Sequence, residues 1–545
     1  MNTIDSLFRR LEQLNEIGAA LSQQKDLDQL LEKILVAAQS ITRADGGTLY
    51  LVEQAEQLRF AILRNATLGI ALGGKSGDPV PFYPIKLYKD GKPNNNMVAA
   101  YAAINGRTVN IADAYSEAGF DFTGTRQFDQ RTGYRSKSFL TVPMKDHEGE
   151  IIGVLQLINS MVDGKIVAFS ESDQRLAESL ASQAAIALTN RALIDQLERL
   201  FESFIDLINT AIDEKSPYTG GHCQRVPVLT MLLADAANDV HEGPLAEFRM
   251  SEKDRHELKI AGMLHDCGKI TTPVHVVDKS TKLETIFDRI GLIETRFEVL
   301  KRDAEIEALR ARAALAGDAR LDVAARGARE RQIDAALKRR LLEIDADMDF
   351  LRRCNTGGEA MSEEAQARVR EIASSYRWVA GSGSSAAALS EDEVKNLTIA
   401  KGTLTREERQ VINHHIVATI KMLEALPWPK DLANVPEYAG GHHERMDGKG
   451  YPRGLTRERM SVQARVMGIA DIFEALTAKD RPYKPGKTLS ESLRILGQFA
   501  QNGHIDPDLF DVFVRKKVYL QYAQQYLDPE QIDGVDDAKI PGYVP

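Results

Sequence analysis

From Ile186 to Leu207 the chain repeats one interval pattern, four residues and then three: Ile186, Asn190, Leu193, Leu197, Leu200, Phe204 and Leu207. That spacing commits roughly six helical turns to a single rod with one apolar seam, and a second helix alongside satisfies so narrow a seam. The polar Asn190 at a seam position fixes the register of such a pair. Ile194, Phe201 and Ile208 widen the stripe, so packing within one chain is the alternative to a parallel coiled coil. We expect a connecting helix over 178–215 that pairs with a second copy and makes the protein a homodimer. The rod also separates two parts of different character, as a length of 545 residues requires, since one core does not serve so long a chain.

The part before it, 1–190, reads as helix, antiparallel sheet, helix. In LDQLLEKILVAAQSIT, residues Leu27, Leu30, Leu31, Ile34 and Leu35 recur at helical spacing. GGTLYLVEQ and LRFAILRNAT have strand character, and KSFLTVPMKDHEGEIIGVLQLINS predicts two strands joined by the turn DHEGE. Ser170 and Asp173 form a capping box ahead of the long helix. This is an α+β module. In RQFDQRTGYRSKSFLTVPM and GEIIGVLQLINS it resembles a GAF domain, a family of small-molecule sensors and dimerisation modules. Of the family's Asn-Lys-Phe-Asp-Glu cyclic-nucleotide signature only Phe128 and Asp129 are echoed. The resemblance therefore implies a small-molecule ligand of unassigned chemistry, or a scaffold without one.

The part after the rod is helical in pattern. Residues 284–352, rich in Glu, Arg, Ala and Leu, predict a long helical hairpin within an insertion at about 284–400, and GSGSSAAALSEDE (381–393) predicts a flexible loop. Of eleven histidines only His147 precedes residue 222. His222 lies in TGGHCQRV; His265, Asp266 and Lys269 in LHDCGK; His414 and His415 in INHHIV; His442 and His443 in GGHHER; Asp471 in MGIADIFEAL. Adjacent His and Asp are costly to bury without partners, whereas together they suit iron, manganese or zinc, and a carboxylate can bridge two ions. On a helix Lys269 falls on the same face as His265 and Asp266, where its ammonium can meet a phosphate oxygen.

The ordered set His, His-Asp-x-x-Lys, His, His-His, Asp, with HHERMDGKGYP intact, resembles an HD-GYP domain of the HD phosphohydrolase superfamily, over about 205–280 and 400–500 of a domain at 205–545. The resemblance implies an all-α fold and seven metal ligands: His222, His265, Asp266, His415, His442, His443 and Asp471. His415 is preferred to His414 because Val411, Ile412 and Met422 beside it are apolar. Asp266 and Lys269 are the implied catalytic residues. Lys269, Arg481 and Lys484, the last two in DRPYK, with Gly450 and Tyr451 of the Gly-Tyr-Pro turn, are the implied substrate contacts. One ion is expected on His222, His265 and Asp471, the other on His415, His442 and His443, with Asp266 between. Tyr218 stands where some family members place a glutamate for a third metal, so two ions are expected, iron or manganese first, with zinc, magnesium or nickel as alternatives. The implied reaction is hydrolysis of cyclic di-GMP to linear pGpG or GMP. Cleavage of another cyclic dinucleotide or nucleotide phosphoester, and a silent signalling adaptor, are the competing readings. The turn is also where the family is thought to meet diguanylate cyclases. His241, His256, His275 and His504 match no motif position.

Composition narrows the setting. A net charge of −10 weighs against binding nucleic-acid polymers. Cys223, Cys267 and Cys354 form no CxxC pair, and no run approaches the roughly 20 apolar residues of a membrane span. The start MNTIDSLFRRLEQLNEIG has no apolar signal core, so a cytoplasmic protein is expected.

Overall fold

The computed structural model describes residues 12, 14–21, 23–24, 26–74, 78–215, 221–318, 321–357, 360–379, 383–479 and 486–544. The expectations for Tyr218, Arg481 and Lys484 lie outside the described residues. The chain divides into two units, 1–202 and 203–545.

In the first unit Asp26 accepts a hydrogen bond from the backbone N–H of Gln29 and opens α1 (Leu27–Thr42), whose buried face is Leu30, Leu31, Ile34, Leu35 and Ile41. The predicted strands follow as β1 (Ala44–Glu53) and β2 (Gln57–Asn65), and a short β3 (Ile70–Leu72) that the sequence did not announce comes after them. After α2 (Val98–Asn105) come β4 (Val109–Ile111), α3 (Thr123–Thr132), β5 (Phe139–Lys145), β6 (Ile151–Val162) and β7 (Lys165–Val167). The antiparallel order is β3-β2-β1-β6-β5-β4, with β7 also on β6. Alternation sorts the side chains: Leu49, Leu140, Val142, Leu155 and Leu157 join Leu30, Ile34, Leu35, Leu176 and Leu180 in one cluster. Tyr50 and Val154 join Ala99, Ala100 and Ala103 of α2 in another.

Ser170 and Asp173 cap each other reciprocally at the start of α4 (Glu171–Lys215), the long helix expected from the seam. Its seam is bare. Ile186, Leu193, Leu197, Leu200, Phe204 and Leu207 are each at least half exposed. No helix among the described residues is long and apolar enough to cross a membrane.

The second unit is helical. α5 (His222–Asn238) and α6 (Glu252–Leu264) precede a 3₁₀ turn at Cys267–Thr271. The insertion follows as the hairpin α7 (Ile290–Ala316) and α8 (Val323–Asn355), then α9 (Glu363–Ser375), a two-stranded ribbon of β8 (Arg377–Val379) and β9 (Ser385–Ala387), and α10 (Glu391–Leu397). It has its own core around Ile293, Phe297, Ile344, Leu351 and Tyr376. The expected flexible loop at 381–393 is corrected from Ser385 onward. Ser390 and Glu393 form a capping box, and Arg296 grips the Glu393 carboxylate at 2.6 and 2.8 Å, so a polar, small-residue stretch is ordered by partners distant in sequence. The chain then resumes with α11 (Arg406–Glu424), α12 (Val435–Gly440), α13 (Val462–Thr477), α14 (Leu489–Gln501) and α15 (Pro507–Arg515).

Candidate metal centre

Three helix ends and two helix interiors bring the expected ligands together. His222 opens α5, His265 caps α6, His442 and His443 follow α12, and His415 and Asp471 lie within α11 and α13. They form two groups whose ligand atoms lie within 4.8 Å of one another: His222, His265, Asp266 and Asp471 in one, His415, His442 and His443 in the other. Asp266 lies between them. Its Oδ2 is 3.1 Å from His222 Nε2 and 3.2 Å from His265 Nε2, while Oδ1 is 3.1 Å from His415 Nε2.

Backbone carbonyls fix three of the rings. Nδ1 of His265, His415 and His442 faces the carbonyl oxygen three residues earlier, of Gly262 at 2.7 Å, Ile412 at 2.6 Å and Ala439 at 2.6 Å. A carbonyl only accepts, so Nδ1 carries the proton and each Nε2 lone pair points into the site. The consequence is an electrostatic deficit: His442 Nε2 and Asp266 Oδ1 are buried without a hydrogen-bond partner among the described residues. His415 Nε2 and His443 Nε2 face each other at 3.1 Å. Buried lone pairs left in this way are expensive, and a cation removes the cost. The residues present therefore fit two metal ions.

Charge is distributed to match. Burial drives His443 down to about 4 and His442 well below its usual range, so both are neutral donors near pH 7. Burial would raise the Asp266 carboxyl, but the Lys269 ammonium beside it outweighs burial and holds it well below the carboxylate range. The Lys269 ammonium sits on Asp266 Oδ2. The sequence placed Lys269 on an α-helix with the His-Asp pair, and this is corrected: α6 ends at Leu264 and the 3₁₀ turn takes over. Residues three apart eclipse in that geometry, so Asp266 and Lys269 still share a face.

Gly268 shows why the HDCGK motif needs its glycine. Its N–H donates to Thr419 Oγ1 at 2.9 Å, and the turn lies directly against the backbone of α11. His415 is buried and His414 exposed. His415 is the one that joins the candidate group, but not for the reason that favoured it, since Val411 and Met422 are themselves 42% and 37% exposed. Tyr451 stacks on His443, ring centroids 4.9 Å apart at 18°. At Gly450 a Cβ would lie 2.5 Å from Glu444 Cα, so glycine lets the turn close onto its own start.

Sequence reading missed Glu474. Its Oε2 lies 2.5 Å from His222 Nδ1, and Arg225 Nε holds its Oε1 at 2.7 Å. Asp471 and Glu474 are three apart on α13, so a helical-face count from Asp471 would have found it. Glu474→Gln keeps the size but removes the charge that orients His222. Metal affinity is expected to fall about 10- to 100-fold, measured by chelator competition, with the fold retained.

A GAF domain family model matches residues 26–188, and two HD domain models match residues 219–338 and 388–509. The chain is similar to a 3′3′-cGAMP-specific phosphodiesterase of Vibrio cholerae serotype O1, 44% identical over 92 residues, 17% of this chain and 20% of that protein. It is also similar to a cyclic di-GMP phosphodiesterase of Pseudomonas aeruginosa, 39% identical over 114 residues, 21% of this chain and 26% of that protein. A dual 3′,5′-cyclic-AMP and -GMP phosphodiesterase of Takifugu rubripes is 31% identical over 211 residues, 35% of this chain and 21% of that protein. The chain thus spans about a fifth to a quarter of the length of these curated relatives.

Proposed function

We propose that this chain, which carries a GAF domain followed by an HD domain, is a metal-dependent phosphodiesterase that hydrolyses cyclic di-GMP in the cytoplasm under control of its GAF domain. The observation that carries this reading is the pair of ligand groups with Asp266 between them. His222, His265, Asp266 and Asp471 would hold one ion, and His415, His442 and His443 the other; the second oxygen of Asp266 faces His415 at 3.1 Å. When bound, two such ions supply Lewis-acid polarisation of a phosphoryl oxygen and lower the pKa of a water. Iron or manganese suits these nitrogen and oxygen donors, and no cysteine is among them.

The chain's own groups do the rest. Lys269 holds a positive charge beside Asp266, where developing phosphoryl charge would meet it in a low-dielectric surrounding. The carbonyl anchors on His265, His415 and His442 fix the rings before substrate arrives, so no reorganisation is needed during reaction. Tyr451, stacked on His443, borders the opening through which a ribose-phosphate would approach. Water adds across the P–O3′ bond, which opens the ring to linear pGpG, and a second cleavage gives GMP.

The test is turnover by manganese- or iron-loaded protein on a panel of cyclic dinucleotides. Cleavage of cyclic di-GMP is expected, and loaded protein that cleaves none of them would sink the reading. A second reading, with 3′3′-cGAMP as substrate, is favoured by the 44% identical segment and is settled by the same panel.

The bare seam of α4 supports a homodimer in which the GAF domain acts through paired helices. Leu197→Glu with Leu200→Glu would place like charges at successive seam positions. Sedimentation should then report monomers where the unaltered protein sediments as a dimer.

A further inference from the structure

A cavity of about 490 Å³ opens beside His442, His443 and Asp471, in the range of small-molecule sites. Ile472 and Leu476 of α13 give it an apolar side. Its polar side carries three cations, Arg445, Lys449 and Lys487, and the imidazole of His504; Arg445 is paired with Asp447 at 2.8 Å, and Asp471, the only acid among the described lining residues, belongs to the ligand set. In a chain of net charge −10 this is a local reversal of sign. The wall is built, too. Asp447 N–H donates to Gly503 O at 3.0 Å, Met446 N–H to His504 O at 3.4 Å, and Arg445 Nη2 to Asn502 O at 3.3 Å. His504 stacks on Phe499 with centroids 4.5 Å apart. The turn carrying Lys449 and the turn carrying His504 therefore form one ordered edge.

We propose that this cavity is a second subsite, which holds the distal phosphodiester and its base while the scissile diester lies at the two ligand groups, and that Lys449 and His504 select the dinucleotide. The proposal rests on the hydrolase reading above. A cyclic dinucleotide carries two anionic diesters, and only one can sit at the ligand groups; the other arrives fully charged and needs cations of its own. Lys449 suits that role. Its ammonium lies 3.8 Å from Asp447 Oδ2, too far for a hydrogen bond, and its side chain is 78% exposed, so an anion in the cavity recruits it. His504 suits the base. Burial holds its imidazole below the usual range, leaving a neutral ring with one donor and one acceptor to read a base edge.

Steady-state kinetics on the full metal-loaded chain should compare cyclic di-GMP, 3′3′-cGAMP and the small diester bis(p-nitrophenyl) phosphate. Calorimetric binding of linear pGpG gives a readout separate from turnover. Lys449→Ala is expected to raise KM for cyclic di-GMP about tenfold, more than it lowers kcat, and to weaken pGpG binding by a similar factor. Its kcat/KM for cyclic di-GMP relative to the small diester should fall accordingly. His504→Ala is expected to change the preference between cyclic di-GMP and 3′3′-cGAMP about fivefold or more. If both variants keep pGpG affinity and all these ratios within about twofold, the subsite is overturned and the hydrolase reading stands. If the unaltered protein cleaves the small diester but no cyclic dinucleotide, both fall together.

Discussion

Asp266→Asn is expected to remove measurable turnover, with kcat down about 1,000-fold or more, and to reduce bound metal to less than one equivalent per chain. Asp266 faces both ligand groups: Oδ2 toward His222 and His265, Oδ1 toward His415. The amide keeps the shape but offers one neutral oxygen where two anionic ones stood. It also turns a donor toward imidazole lone pairs, and it leaves the Lys269 ammonium without its carboxylate. Removing one partner of a buried pair costs about 3–5 kcal/mol, so the second unit should melt earlier as well. Elemental analysis and turnover at a temperature where the variant is folded separate the two effects. Full metal content with normal turnover would refute the placement of Asp266 between two ions.

The second large effect is expected from Gly268→Ala, a change of one methyl group. The new Cβ would sit against the His415 carbonyl oxygen, 2.5 Å from Thr419 N and 2.7 Å from Thr419 Oγ1. Backbone of α11 cannot rotate aside as a side chain can, so the 3₁₀ turn and α11 must separate. That separation breaks the Gly268 N–H to Thr419 bond and pulls His415 from His443 and Asp266. The overpacking is expected to cost about 3 kcal/mol and to lower the calorimetric transition of the second unit by roughly 5–10 °C. Thr419→Ala, which removes the hydroxyl but not the close approach, should cost only about 1 kcal/mol. Equal losses in the two variants would show that the hydrogen bond, and not the crowding, governs this contact.

Both predictions turn on residues whose identity was legible in the sequence and whose reasons were not. HDCGK names its glycine, but the contact that requires glycine is with a helix about 150 residues further on. INHHIV offers two histidines. Apolar neighbours pointed to His415, yet two of those neighbours prove exposed, and what marks His415 is that its Nδ1 meets the Ile412 carbonyl while Nε2 meets the site. The strands of the first unit were readable because period-two alternation reports burial on a sheet face directly. The segment from Ser385 was misread because its order comes from Arg296 and a capping box rather than from an apolar pattern.

By itself the sequence determined the local geometry and the chemical inventory: the seam of α4, the strand alternation, the hairpin of the insertion, and an ordered set of histidines and aspartates suited to metal. These are properties of spacing, and spacing is fixed by 3.6- and 2-residue periods within a single element. The tertiary structure decided how the set is used. It divided the ligands into two groups and put Asp266 between them. It aimed the rings through backbone carbonyls and brought Glu474 to His222 across 252 residues. It also set His504, from outside every motif, on the rim of the cavity beside them. Those choices depend on how helices from distant parts of the chain pack, and no period within one helix encodes the angle or depth at which it meets another.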